Sequence, residues 1–170
     1  MKREELFILR DIDSFEPATA QMRKKGYTFS NRVLEVKRVL SNHYLSQELN
    51  VPLNTELFLL SRLRIVEGYP VSIEKTWIQY EKVKGLEKVD FTDISFYALL
   101  KEKFGIQIIE TKEELLIVNA KQSEKEHLNT KQILFEKGTS YMEGESVPFE
   151  YFEMSSIPSF YRFRSVSVNG

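Results

Sequence analysis

The sequence predicts an α+β domain built on a central antiparallel sheet flanked by helices. Three observations carry that prediction. Apolar and β-branched runs follow one another across short turn signals, as antiparallel neighbours do. Two segments have helical periodicity and a glycine just past the end, at Gly26 and Gly105. Gly 7 and Pro 5 are few for 170 residues, while Tyr 8 and Phe 12 are plentiful, which favours regular structure and pleated, half-buried surfaces. No repeat or low-complexity linker divides the chain, so one domain over 1–170 is expected.

Residues 14–26 read as the first helix, capped by Asp13 or Ser14, with Pro17 tolerated in the first turn and Gly26 ending it. Arg23, Lys24 and Lys25 sit where the helix dipole favours cations. Val33, Leu34, Val36 and Val39 make 28–40 a long strand. Ser41-Asn42 caps a short helix over 44–49, stopped by Asn50-Val51-Pro52. Strands 55–66 and 71–80 flank Glu67-Gly68-Tyr69-Pro70, a hairpin signal, and 83–88 reads as a helical turn. The strongest helix is 93–104, where Phe96, Leu99, Leu100, Lys103 and Phe104 share a face. Strand 106–120 precedes a short helix over 123–128, with Ser123 as cap and Glu126 closing a capping box. A second hairpin joins 133–142 to 147–154 about Glu143-Gly144-Glu145-Ser146, and 160–168 is the last strand.

Composition removes several function classes. Lys plus Arg is 24 against 25 for Asp plus Glu, a net charge of -1, which argues against a nucleic-acid-coating or membrane-binding surface. Cys 0 excludes disulfides, thiolate metal sites and cysteine nucleophiles. The start turns acidic at Glu4-Glu5 and the apolar stretch at 6–9 is too short for a signal peptide, while no run approaches a membrane span. A cytoplasmic location and no membrane partner are expected. His43 and His127 group with no carboxylates at metal-ligand spacing, and no nucleophile elbow, P-loop or dinucleotide fingerprint occurs, so neither metal nor cofactor is expected.

Candidate binding residues emerge from strand periodicity. Arg62 and Arg64 alternate with apolar residues and share a face with Phe58 and Leu60. Guanidinium groups among apolar neighbours want an anion, from the protein or from a ligand. Glu74 supplies one if the hairpin closes with the three-residue loop Gly68-Tyr69-Pro70, which pairs Arg64 with Glu74; a four-residue loop instead turns Glu74 to the other face. Opposite charges favour the first register. Glu150 shares a face with Phe152 and Met154 and needs a hydrogen-bonding partner there. Ser95 lies in the first turn of the 93–104 helix, where free N–H groups attract anions, and Tyr97 adds a hydroxyl nearby.

These residues resemble a known family. Arg62-Leu63-Arg64-Ile65-Val66-Glu67-Gly68-Tyr69-Pro70-Val71 followed by Glu74 is similar to the central hairpin of the UTRA domain, the effector-sensing module of GntR-type bacterial transcription regulators in the HutC subfamily. Ser14-Phe15 before Gly26, Leu49, Ser95-Phe96-Tyr97 before Gly105, and Val147-Pro148-Phe149-Glu150-Tyr151 agree in order and spacing, so the resemblance covers nearly the whole chain. It implies a chorismate-lyase-like fold, a homodimer and a small anionic effector, with sugar phosphates favoured. It also implies operator DNA bound through an N-terminal winged helix-turn-helix, a domain these 170 residues do not include. Arg62, Arg64, Ser95 and Tyr97 match anion-contacting positions; Glu74 and Glu150 match positions facing the effector's polar end; backbone N–H groups of Ser14 and Phe15 complete the anion site. Tyr161 and Phe163 match a Tyr-x-Phe pair, whereas Ser155-Ser156-Ile157-Pro158-Ser159 departs from the family pattern, with Ser156 in place of an aromatic.

The reading is therefore a sensor and not an enzyme. The alternative is a chorismate-lyase-like enzyme, which also uses arginines and a glutamate on an aromatic-rich scaffold. The Arg-x-Arg pair with Gly-x-Pro-x-x-x-Glu favours the regulator.

Overall fold

A computed structural model describes residues 1–14 and 16–170. Its elements in chain order are β1 (Ile8–Asp11), α1 (Ala18–Lys24), β2 (Phe29–Leu40), α2 (His43–Leu49), β3 (Glu56–Val66), β4 (Tyr69–Gln79), α3 (Phe96–Phe104), β5 (Ile108–Asn119), α4 (Gln122–Leu128), β6 (Gln132–Met142), β7 (Glu150–Ser156) and β8 (Tyr161–Arg164). Six strands form one antiparallel sheet in the order β2-β3-β4-β7-β6-β5. The α+β class with a central antiparallel sheet is therefore as the sequence predicts.

The sheet buries both faces at its centre, which is why β3 reads as an almost continuous apolar run. The inner face carries Phe58, Leu60 and Ile78, covered by Phe96 and Leu100 of α3 and by Phe91 and Phe149. On the outer face Leu57, Trp77 and Tyr151 pack with Leu45 and Leu49 of α2. The remaining end is closed by β1 and β8, which bring Ile8, Phe160 and Tyr161 onto a cluster with Val66, Val71 and Ile157.

Several boundaries depart from expectation for identifiable reasons. The first helix begins at Ala18, because Pro17 is extended at the cap and disfavours helical backbone at Glu16. Ser14 lies in a separate turn, where its Oγ accepts from the Glu16 N–H at 3.2 Å. The strongest helix starts at Phe96 with Ser95 at its cap, not at 93. α4 starts at Gln122, and Glu124 rather than Glu126 closes its first turn by accepting from the Lys121 N–H at 2.7 Å. β7 runs from 150 to 156, later than the predicted 147–154, and β8 ends at Arg164, not 168. The sequence reading missed β1 altogether. It pairs in parallel with β8 across 153 residues, in a two-stranded sheet of its own, and four residues carry no periodicity to detect.

The β3–β4 hairpin corrects the predicted register. Its turn is the two residues Glu67 and Gly68, both at positive φ (50° and 79°), a primed turn that suits strand twist. Glycine takes that backbone freely; Glu67 does so while its carboxylate accepts from the N–H and hydroxyl of Thr28. The register shifts between Arg64 and Ile65, and beyond the shift Arg64 faces Ser72 while Arg62 faces Glu74. The three-residue loop is not formed. Glu74 still shares the inner face with both arginines.

Gly138 answers a different need. Packed beneath Phe152 on the inner face, it would set a Cβ 2.8 Å from the Phe152 ring and 2.3 Å from the Lys112 carbonyl oxygen.

Candidate functional site

Antiparallel register lays the inner face out as cross-strand rows. One row holds Asn31, Arg64, Ser72 and Ser156; the next holds Arg62, Glu74, Met154 and Glu136; Ile78, Glu150 and Ser140 share a row toward the far end. Candidate residues thus reach one surface from β3, β4 and β7, with Tyr97 added by α3.

Glu74 is the counter-ion of the arginine pair. Its carboxylate accepts from Arg64 Nε at 2.7 Å and Nη2 at 3.2 Å, and lies 3.7 Å from Arg62 Nη2. Burial alone raises the Glu74 carboxyl, but the charge and hydrogen bonds of Arg64, then the charge of Arg62, outweigh it and hold the group below its ordinary range. Burial lowers Arg62, which donates through Nη1 to the Ile94 carbonyl at 3.0 Å, immediately before Ser95. Arg62 and Arg64 are 7% and 5% exposed, so two buried guanidinium groups share one carboxylate. That leaves an uncompensated positive charge beside the start of α3.

The far end is built around Glu150, 1% exposed. It accepts from Thr76 Oγ1 at 2.6 Å and from the Tyr97 hydroxyl at 3.1 and 3.0 Å to its two oxygens. Burial pushes its carboxyl up, against the hydrogen bonds of Thr76, Tyr97 and Ser140. Tyr97 exposes half its ring and turns the hydroxyl inward, where burial and then Glu150 raise it well above its usual range.

Tyr161 closes the opposite end. Its ring stacks with Phe163 and lies under the Arg10 guanidinium, and burial followed by the Glu74 charge pushes its hydroxyl up. Arg10 also pairs with Glu136 at 3.3 Å. Glu136 is fully buried, and its carboxyl is pushed up to about 7 by burial, despite Arg10, with Glu113 and Glu74 adding repulsion.

Arg62, Arg64, Glu74, Tyr97, Glu150 and Tyr161 therefore converge on the inner face, whereas Ser95 is exposed at the α3 cap, where its side chain makes no capping hydrogen bond. Ser14 makes its recorded contacts elsewhere, with its N–H donating to the Asp11 carbonyl at 3.1 Å, and Phe15 lies outside the described residues. Sequence reasoning missed Arg10, Thr76 and Glu136. Glu136 alternates with Leu134 and Ser140 on β6, so periodicity alone put it on a face without saying which element covered it. A cleft of about 460 Å³ on the outer face, lined by Glu35, Lys75, Lys121 and Glu153 among others, mixes both charges and includes neither arginine.

Buried arginines and carboxylates thus meet on one face of an α+β sheet, and comparison with known proteins gives the family to which such a fold belongs. The chain belongs to the UTRA domain family, which matches residues 24–153. It is 26% identical over 96 residues to the "Probable fructoselysine utilization operon transcriptional repressor" of Escherichia coli (strain K12), covering 56% of this chain and 39% of that protein. It is 24% identical over 130 residues to the "HTH-type transcriptional regulator GmuR" of Bacillus subtilis (strain 168), covering 75% of this chain and 54% of that one. The chain thus spans about half or less of the length of these relatives. Its fold matches PhnF from Mycobacterium smegmatis with a TM-score of 0.86 at 17% identity, covering 96% of this chain and 73% of that chain. A GntR-family transcriptional regulator from Enterococcus faecalis V583 matches with a TM-score of 0.68 at 24% identity, covering 79% and 97%. No helix among the described residues is long and apolar enough to cross a membrane.

Proposed function

We propose that this chain is the effector-sensing domain of a cytoplasmic GntR-type transcription regulator of the HutC subfamily. In this reading it binds a small anionic metabolite, with a sugar phosphate favoured, and the bound state controls how an N-terminal winged helix grips operator DNA. One observation carries the reading. Arg62 and Arg64 are buried and share a single carboxylate, so their inner face has a positive charge to spare for a ligand anion. Arg62, Arg64 and Ser95 take the anionic group, while Glu74, Tyr97, Glu150 and Tyr161 line the rest. A relative named for a fructoselysine utilization operon fits a sugar-derived effector. The regulator names of the relatives favour sensing over turnover.

The test is a thermal-shift screen of this chain against inorganic phosphate, sugar phosphates, sugar acids and amino-acid metabolites. A ligand at a hundred times its Kd stabilises the fold by about 2.7 kcal/mol. The same ligand should shift Arg62→Ala by half as much or less, because a charged hydrogen bond to a desolvated anion is worth roughly 1.5–3 kcal/mol. Failure of every anion to shift the wild type, or an undiminished shift in Arg62→Ala, removes the reading. Pyruvate release from chorismate supports the enzyme instead. A homodimer belongs to the same proposal, supported by exposed Leu116, Ile117 and Val118 on edge strand β5, and a monomer in sedimentation at micromolar concentration counts against it.

A further inference from the structure

Six buried side-chain atoms near the arginines have no hydrogen-bond partner: Asn31 Oδ1, Arg64 Nη1, Ser72 Oγ, Ser156 Oγ, Tyr161 OH and Glu136 Oε2. The first four belong to one cross-strand row on adjacent strands, with Asn31 opposite Arg64, Arg64 opposite Ser72 and Ser72 opposite Ser156. Tyr161 lies under the Arg10 guanidinium, which pairs with Glu136, so it borders the same space. Among the described residues only Glu87 Oε2 is orphaned elsewhere. Proteins rarely leave such atoms unpaired, because each costs about 1–3 kcal/mol, and a concentration of them in one row marks a place built for a polar occupant.

The chemistry of that occupant follows from what the row offers. Its charged members already have hydrogen bonds, Arg64 to Glu74 and Glu136 from Arg10. What remains is hydrogen-bonding capacity of both kinds: an N–H on Arg64, three hydroxyls that donate and accept, and acceptor oxygens on Asn31 and Glu136. An anion would waste the acceptors and an ammonium group the donors. Hydroxyl groups use both. Arg62, with the spare positive charge, is two residues along β3, roughly 7 Å away, a separation comparable to that between the phosphate of a hexose phosphate and its ring hydroxyls.

We propose that Asn31, Ser72, Ser156 and Tyr161, beside Arg64 Nη1, form a neutral compartment that binds the hydroxyl groups of a polyhydroxylated anionic effector and so selects which one is sensed. The proposal rests on the anion-sensing reading above and adds residues that decide specificity rather than charge.

The experiment titrates this chain, wild type and Ser72→Ala/Ser156→Ala, with inorganic phosphate, glycerol 3-phosphate, glucose 6-phosphate, mannose 6-phosphate and fructose 6-phosphate. The expected result is a tenfold or greater loss of affinity for the best hexose phosphate, with inorganic phosphate unchanged within twofold and the melting temperature held. Equal hexose phosphate affinity in the variant overturns the compartment while leaving the anion reading standing. Parallel loss of both hexose phosphate and inorganic phosphate also overturns it, since the serines would then act through Arg64. If no phosphate compound binds the wild type, the compartment as a reader of hexose phosphates is overturned, and the anion reading is decided by the sugar acids and other anions of the thermal-shift screen. Should the double variant not fold, Ser156→Ala and Tyr161→Phe carry the same comparison singly.

Discussion

The two ends of the inner sheet face differ in one respect. Around Glu150 no buried side-chain atom among the described residues lacks a partner: Thr76 donates to one oxygen and the Tyr97 hydroxyl is shared between both oxygens of a carboxylate that is 1% exposed. Around Arg64 burial is as deep, yet Ser72, Ser156, Tyr161 and Glu136 each keep an unpaired atom. The same sheet, covered to the same depth, has finished one end internally and left the other with bonds to make. Burial alone therefore does not distinguish a structural polar cluster from a binding one; satisfaction does.

The comparison can be broken most forcefully at Glu74, which lies between the ends. Glu74→Ala leaves two buried guanidinium groups without their carboxylate and should destabilise the fold by roughly 3–5 kcal/mol, read by urea denaturation. A loss near zero would mean that solvent already screens the pair.

Next in size is a pH effect at the unsatisfied end. The Glu136 carboxyl is pushed up to about 7 from an ordinary value near 4.3, so the folded state holds a proton that the unfolded chain releases. Stability should fall as pH rises from about 4 to 7, by about 3 kcal/mol from this group, and Glu136→Gln should flatten that limb. Glu74, held low by Arg64 and Arg62, acts with the opposite sign and loses its contribution as pH falls. Comparing the pH profiles of wild type and Glu136→Gln by denaturant midpoint isolates the first effect.

At the saturated end, Tyr97→Phe removes both hydrogen bonds to Glu150 and should cost about 1.5 kcal/mol, the low end for a charged acceptor because the ring is half-exposed. Thr76→Val should cost about 1 kcal/mol for its single bond. The smallest effect sharpens the contrast. Ser72→Ala removes a hydroxyl that bonds nothing and should change stability by less than about 0.5 kcal/mol. A Ser72→Ala cost equal to that of Thr76→Val would erase the distinction between the two ends.

Much of this face was legible in the residues. Period-two alternation put Arg62 and Arg64 together among apolar neighbours, and the cost of that arrangement pointed to a carboxylate, which is Glu74. Glu150 was legible for the same reason; Tyr97 was expected beside Ser95, and only the structure turns its hydroxyl to Glu150. Arg10 and Glu136 were not. Their pairing spans 126 residues and depends on β1, whose four residues show no pattern and whose strand partner is β8.

By itself the sequence determined the class of fold, the faces of its strands and the kinds of side chain needing partners, because alternation and turn chemistry act within a few residues. Only the tertiary structure decided the hairpin register and the company each polar group keeps. A two-residue turn at Glu67-Gly68 prevailed over the longer loop through contacts to Thr28, just before β2, and with it Arg64 came to face Ser72. Which orphaned atoms lie side by side then follows from strands β2, β3, β4 and β7 meeting in one order. That order is set by burying the whole sheet at once, an energy no local segment contains.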